Sequence, residues 1–272
     1  MSTEVSLEQI LDSAEDALNE GTPDVALELC AQVLDVDPSQ AGAWYLKGEA
    51  LRAIGALSAS AEAYQKAALL RPSHAPSWTS WALSAYETLA LNDAWRAINR
   101  ALREDPNNPH SWWVRALLLE WKGDINGSRR AMAHAQWLDP ANFPMPPQLD
   151  EGEIGQIVSD AISELHPTLI DFLTNVPIIV EDLPSEETLT AYDPPASPLD
   201  LLGYFSGASL QERSLEDPWS HLPPTIVLFR RNLERSCNNR TELIHQLRVT
   251  LYHEVGHFLG LNEDDLVKRG LD

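Results

Sequence analysis

Trp44-Tyr45-Leu46-Lys47-Gly48-Glu49-Ala50-Leu51, continued by Ser60, Tyr64, Ala67 and Pro72, recurs in register along the first half of the chain. Pro38, Pro72, Pro106 and Pro140 are each 34 residues apart, and Trp44, Trp78 and Trp112 keep the same interval. So do the small residues Ala26, Ser60, Ala94 and Ser128, and Ala67, Ala101 and Ala135. A repeat of this length is one supersecondary unit whose apolar face is buried only by its neighbours. The small residues let two helices approach closely, the aromatic fills the space between units, and the proline ends one unit because it cannot continue a helix. The spacing predicts paired helices stacked as a solenoid of four units with one concave face, from about Leu7 to Asn142.

The period and the residues at its signature places resemble the tetratricopeptide repeat. The first unit departs from the pattern, with Ile10 where the others have Trp and Cys30 where an aromatic is usual, as suits a terminal cap. The resemblance implies that a peptide or protein partner lies in the concave groove. The groove-lining places hold Tyr45, Glu49, Arg52, Tyr86, Glu87, Trp113, Glu120 and Trp121. The Lys and Asn residues with which chaperone-binding arrays clamp a terminal carboxylate are missing, since Tyr45 and Glu49 stand in their places. An acidic, aromatic groove favours a segment bearing Arg or Lys. The alternative is that these aromatics only pack between helices or against the second domain.

Composition shifts at Phe143-Pro144-Met145-Pro146-Pro147-Gln148, which reads as a semi-rigid linker. The expected domains are 1–142, the linker 143–150, and 151–272. Beyond the linker, Ile154 to Leu173 reads as a helix open to a break at Pro167. Val176–Val180, Asp200–Ser206 and Thr225–Arg230 read as strands. Asn239 or Thr241 can cap a following helix whose buried face carries Leu243, Ile244, Leu247 and Leu251. Asn262-Glu263-Asp264-Asp265 opens a last short helix ending at Lys268 and Arg269. An all-α array followed by a small α+β domain is the expected architecture.

The second domain carries His253-Glu254-Val255-Gly256-His257-Phe258-Leu259-Gly260-Leu261-Asn262-Glu263, an H-E-x-x-H-x-x-G-x-x-E pattern. Two histidines four apart share a helix face, so both imidazoles can reach one zinc ion with Glu254 beside it as general base. Gly260 can take the left-handed conformation that ends a helix and turns the chain back, bringing Glu263 round as a third ligand. Asp264 and Asp265 are alternatives. The stretch to Asp272 is too short for a ligand on a distant following helix, so the third ligand is expected locally or from upstream. No methionine follows the helix, so there is no Met-turn. The same His pair is also compatible with two partly buried helix histidines making ordinary hydrogen bonds. Of the other histidines, His245 faces roughly the same side of the helix, while His74, His110, His134, His166 and His221 read as solvated or capping residues.

From about Ile154 onward the chain resembles the small bacterial zincin-like metallopeptidases, or minimal zincins. The blocks that carry this are Ile178–Pro184, Leu202–Gly207, Leu222–Arg230 and the helix with His253, Glu254 and His257. The resemblance implies a small twisted sheet beside the metal helix and hydrolysis of peptides. The family usually has Asp where this chain has Glu263 and Ala where it has Gly256. A glycine inside a helix costs about 1 kcal/mol, so Gly256 is expected to serve close packing. Tyr204 or Arg230 could donate to a developing oxyanion. Rival readings are an adaptor whose zincin-like domain is inactive and a metal-dependent hydrolase with a non-peptide substrate.

Across 272 residues the formal net charge is -22, and residues 1–40 carry no Lys or Arg. That acidity argues against nucleic acid and anionic membrane surfaces as partners. Cys30 and Cys237 are too few and too distant for a disulfide framework or a cysteine zinc site. No signal-like start or membrane-length apolar run is present, so a cytoplasmic protein is expected.

Overall fold

The recurring prolines and tryptophans are bonded to each other. The indole Nε1–H of Trp44 donates to the Pro38 carbonyl at 2.9 Å, that of Trp78 to Pro72 at 3.0 Å and that of Trp112 to Pro106 at 2.7 Å. Each bond spans the turn where a helix has stopped and the backbone carbonyls have lost their helical partners. The structure, a computed structural model, describes residues 6–210 and 223–268. It divides into two compact units between Met145 and Pro146.

The first unit holds α1 (Leu7–Asn19), α2 (Pro23–Val36), α3 (Ala41–Ala53), α4 (Leu57–Leu70), α5 (Ala75–Glu87), α6 (Leu91–Glu104), α7 (Pro109–Trp121) and α8 (Ile125–Leu138). Consecutive helices pack together, α1 also on α3 and α5 on α7. The small repeat residues are the contact points: Ala26, Ser60 and Ala94 are fully buried, as are Ala101 and Ala135. Gly48 shows why size matters, since a Cβ there would stand 2.6 Å from the Tyr64 ring, and Ser60 Oγ donates to the Gly48 carbonyl at 3.0 Å. The turn inside each repeat is the same device. Gly21, Gly55 and Gly123 adopt φ of +73°, +75° and +84°, and Leu89, at the corresponding place in the third repeat, adopts +60°. All four donate back to the carbonyl three residues earlier, and the following residue reaches five back, as in a Schellman cap.

The second unit begins with α9 (Glu151–Ser163), opened by a reciprocal cap between Asp150 and Glu153, and α10 (Pro167–Leu173). The expected helix over 154–173 is therefore two, interrupted just before Pro167, whose ring disfavours helical backbone in the residue before it. Strands β1 (Ile178–Glu181), β2 (Gly203–Ser206) and β3 (Thr225–Phe229) form a sheet in the order β1-β3-β2, with β1 parallel and β2 antiparallel to β3. Short helices α11 (Glu186–Thr190) and α12 (Arg230–Arg235) were not evident from the sequence, and α12 ends β3 one residue earlier than expected. Helix α13 (Arg240–Phe258) is capped by Asn239, and α14 (Glu263–Val267) by Asn262.

β3 lies centrally and is the most buried strand, which explains its unbroken apolar run. Leu243, Leu247, Leu251 and Val255 of α13 pack with Ile226 and Leu228 of the sheet and Ile154 and Ala161 of α9. Tyr252 Oη donates to the Ala161 carbonyl at 3.1 Å and fixes α13 against α9. No helix among the described residues is long and apolar enough to cross a membrane.

Candidate functional site

The last two turns of α13 carry His253 and His257. Their Nε2 atoms face each other at 3.0 Å. The helix then ends in a Schellman cap: Gly260 N–H reaches the His257 carbonyl at 2.9 Å and Leu261 N–H the Gly256 carbonyl at 3.0 Å, with Gly260 at φ +89°. That turn sends the chain back over the histidines and starts α14 with Glu263. The Glu263 carboxylate stands 3.2 Å from His257 Nε2 and 3.6 Å from His253 Nε2. His257 Nδ1 lies 3.1 Å from the Leu261 carbonyl. A carbonyl only accepts, so Nδ1 is the donor there, and Nε2 is the ring atom that faces His253 and Glu263 and is free to take a metal.

These separations suit a small cation. Ligand atoms at ~2.0–2.1 Å around a tetrahedral ion stand about 3.3 Å apart. Two imidazole nitrogens and one carboxylate oxygen form the donor set familiar for zinc. Among the described residues, His253, His257 and Glu263 are the group that meets at one point. Asp264 and Asp265 are not in it, and Asp265 instead gives its backbone N–H to the Asn262 cap at 2.9 Å. His245 is also outside it. His166 caps α10 through its ring, and His74 bonds Ser77 Oγ at 2.7 Å. His110 and His134 pack against aromatic rings, which differs from the expected solvated or capping places. His221 lies outside the described residues.

A cavity of about 590 Å³ opens on these groups, lined also by Tyr192, Leu201, Tyr204 and Phe205. Glu254 faces it while only 5% exposed. Burial, then the Glu263 charge, push its carboxyl up to about 8, against the pull of a hydrogen bond from the Phe205 backbone N–H. Tyr204 reaches the cavity with its ring stacked on Phe229 at 5.9 Å. Arg230 does not line it. Its Nε donates to Asp182 at 2.8 Å, and its side chain borders a separate small apolar cleft beside Leu233 and Leu243. Tyr192 does line it, and no sequence pattern pointed there: a single tyrosine in a proline-rich loop carries no periodic signal. Its hydroxyl is raised by burial first, then by the charges of Glu254, Tyr204 and Glu263.

In the repeat unit, a cleft of about 260 Å³ between α1, α3 and α5 is lined by Asp12, Glu15, Tyr45, Arg71 and His74 among others. The Tyr45 ring meets His74 edge-on at 5.4 Å. Four expected groove residues are engaged with one another. Tyr86 is fully buried and packs edge-on against Trp121, and Glu87 is 7% exposed and forms a two-pronged ion pair with Arg52.

Residues 173–271 match the zincin-like metallopeptidase family and residues 11–75 the tetratricopeptide repeat family. No curated protein matches the chain. Similar solved structures include a crystal structure of MamA, 20% identical over 52% of this chain and 82% of that one, with a TM-score of 0.46. Another is a thermophilic TPR protein of Thermus thermophilus, 16% identical over 50% and 75%, TM-score 0.45. A third is MamA from Desulfovibrio magneticus, 15% identical over 62% and 89%, TM-score 0.44.

Proposed function

Since this chain joins tetratricopeptide repeats to a zincin-like metallopeptidase domain, we propose that it is a zinc-dependent peptidase whose repeats recruit a substrate or partner protein. The observation that carries this reading is the convergence of His253, His257 and Glu263 beside the buried Glu254 on one cavity. His253 and His257 hold zinc with Glu263 as third ligand. Bound there, zinc supplies a Lewis acid that polarises a carbonyl and makes water more acidic. Glu254 accepts the proton of the attacking water and returns it to the leaving amine. Its carboxyl is raised partly by the Glu263 charge, and neutralising that charge with a cation removes this cause. Tyr192 and Tyr204 line the same cavity and are our candidates for a donor to a carbonyl oxygen, in place of Arg230. Among the described residues β2 is an edge strand, and it also borders the cavity, which favours an extended peptide over a small molecule.

We read the array over 1–142 and the linker over 143–150 as a recruiting arm for the peptidase at 151–272. Tetratricopeptide repeats generally mediate protein–protein contacts. Asp12 and Glu15 line the same cleft as Tyr45, which suits a partner segment bearing Lys or Arg. Both cysteines are free, in keeping with a reducing compartment such as the cytoplasm.

The test is zinc content and peptide-library cleavage for wild type, His257→Ala and Glu254→Gln. We expect His257→Ala to lose both and Glu254→Gln to keep zinc but lose cleavage. Equal, near-zero zinc in all three overturns the reading. Zinc without cleavage in the wild type leaves an adaptor with an inactive zincin-like domain.

A further inference from the structure

Gly256 lies in α13 between the two histidines, one residue before His257. A Cβ on Gly256 would stand 2.3 Å from Leu266 Cδ2, inside any permitted contact. Leu266 is fully buried and is the one buried residue of the five-residue helix α14. The same glycine receives the returning chain through its carbonyl, which accepts from Leu261 N–H at 3.0 Å. Glu263 is the first residue of α14, one turn before Leu266. A helix this short has little cohesion of its own, so its place is set by what it packs against.

We propose that Gly256 is a positioning residue for the third ligand. Its missing side chain leaves a hollow that admits Leu266, and Leu266 seated there holds α14 so that Glu263 meets His253 and His257. The proposal rests on the metal-site reading above. It accounts for a glycine in the middle of the metal helix, where helix propensity alone disfavours one. An alanine at 256 displaces the Leu266 Cδ2 methyl from this seat, and since Leu266 is the one buried residue of α14, its displacement is what would loosen α14 against α13. The histidines, on the helix itself, stay where they are.

Cobalt(II) alone, titrated into metal-free full-length protein, tests this through its dissociation constant and its visible absorption, which responds to the ligand set. Gly256→Ala is expected to weaken cobalt by ~10-fold, as loss of a supporting contact does, with a spectrum shifted in the same sense as that of Glu263→Ala. Because Gly256 acts through Glu263, the double variant Gly256→Ala/Glu263→Ala should bind no more weakly than Glu263→Ala alone. The proposal is overturned if Gly256→Ala binds like wild type while Glu263→Ala does not, or if the two losses add in full. Should Gly256→Ala fail to fold, Leu266→Ala probes the same seat, and unchanged cobalt affinity there overturns the proposal too. No cobalt uptake by the wild type removes the metal reading and this inference with it. Uptake insensitive to Glu263→Ala removes the inference alone.

Discussion

Glu263 holds its carboxylate against two histidines although its side chain is 71% exposed. An exposed polar contact of that kind contributes little by itself, since even a full surface ion pair is worth typically about 0–1 kcal/mol, so its geometry needs another cause. A cation shared with His253 and His257, as proposed above, would supply one. Glu263→Ala is accordingly expected to weaken zinc by ~10-fold or more, and Asp264→Ala to change it little, as read by competition with a calibrated chelator. A larger loss for Asp264→Ala would move the ligand assignment one residue on. His253, Glu254 and His257 were legible as a group because one helix carries all three at fixed spacing. Glu263 was legible because Gly260 announced the turn. Tyr192 was not: it enters from a loop some way up the chain, and only the packing of that loop brings it to the cavity. The capture of Arg230 by Asp182 was equally hidden, since ion pairs between distant positions leave no periodicity in a sequence.

At the level of elements, the repeat register left little to discover about α1–α8, because a period of 34 fixes both helices and the turns between them at once. The short elements were harder. α11 and α12 span five and six residues, too few for a helical period to register. Leu89 is the informative exception within the array. It occupies the left-handed turn position that glycine fills in the other three repeats. An L-residue with a side chain pays roughly 1–2 kcal/mol for that conformation, and the added freedom of an unfolded glycine offsets ~0.5–1 kcal/mol. Leu89→Gly should therefore raise the array's stability by up to ~1 kcal/mol, and Gly123→Ala should lower it by ~1 kcal/mol or more. Urea unfolding midpoints decide both. A clear loss on Leu89→Gly would mean that contacts of the leucine side chain outweigh the backbone strain.

For the whole molecule, the division between Met145 and Pro146 predicts that damage to the repeats stays in the repeats. Trp78 is 9% exposed and donates its indole N–H to Pro72, so truncating it removes both packing and a hydrogen bond. Trp78→Ala should destabilise the array by ~3–5 kcal/mol and leave zinc content at the wild-type value. Zinc lost in step with the array's unfolding would show that the two units share one cooperative core. The Trp–Pro bonds have one more consequence. Each closes within a single block running from one repeat proline to the residue before the next, as Pro72 to Asp105 does around Trp78. Such a block is a cassette. Duplicating or excising it in frame cuts none of these bonds, so the array can change length by whole cassettes, by gene duplication or in the laboratory, with only the side-chain pairs that cross a boundary, such as Arg52 with Glu87 and Tyr86 with Trp121, left to be matched at the new junction.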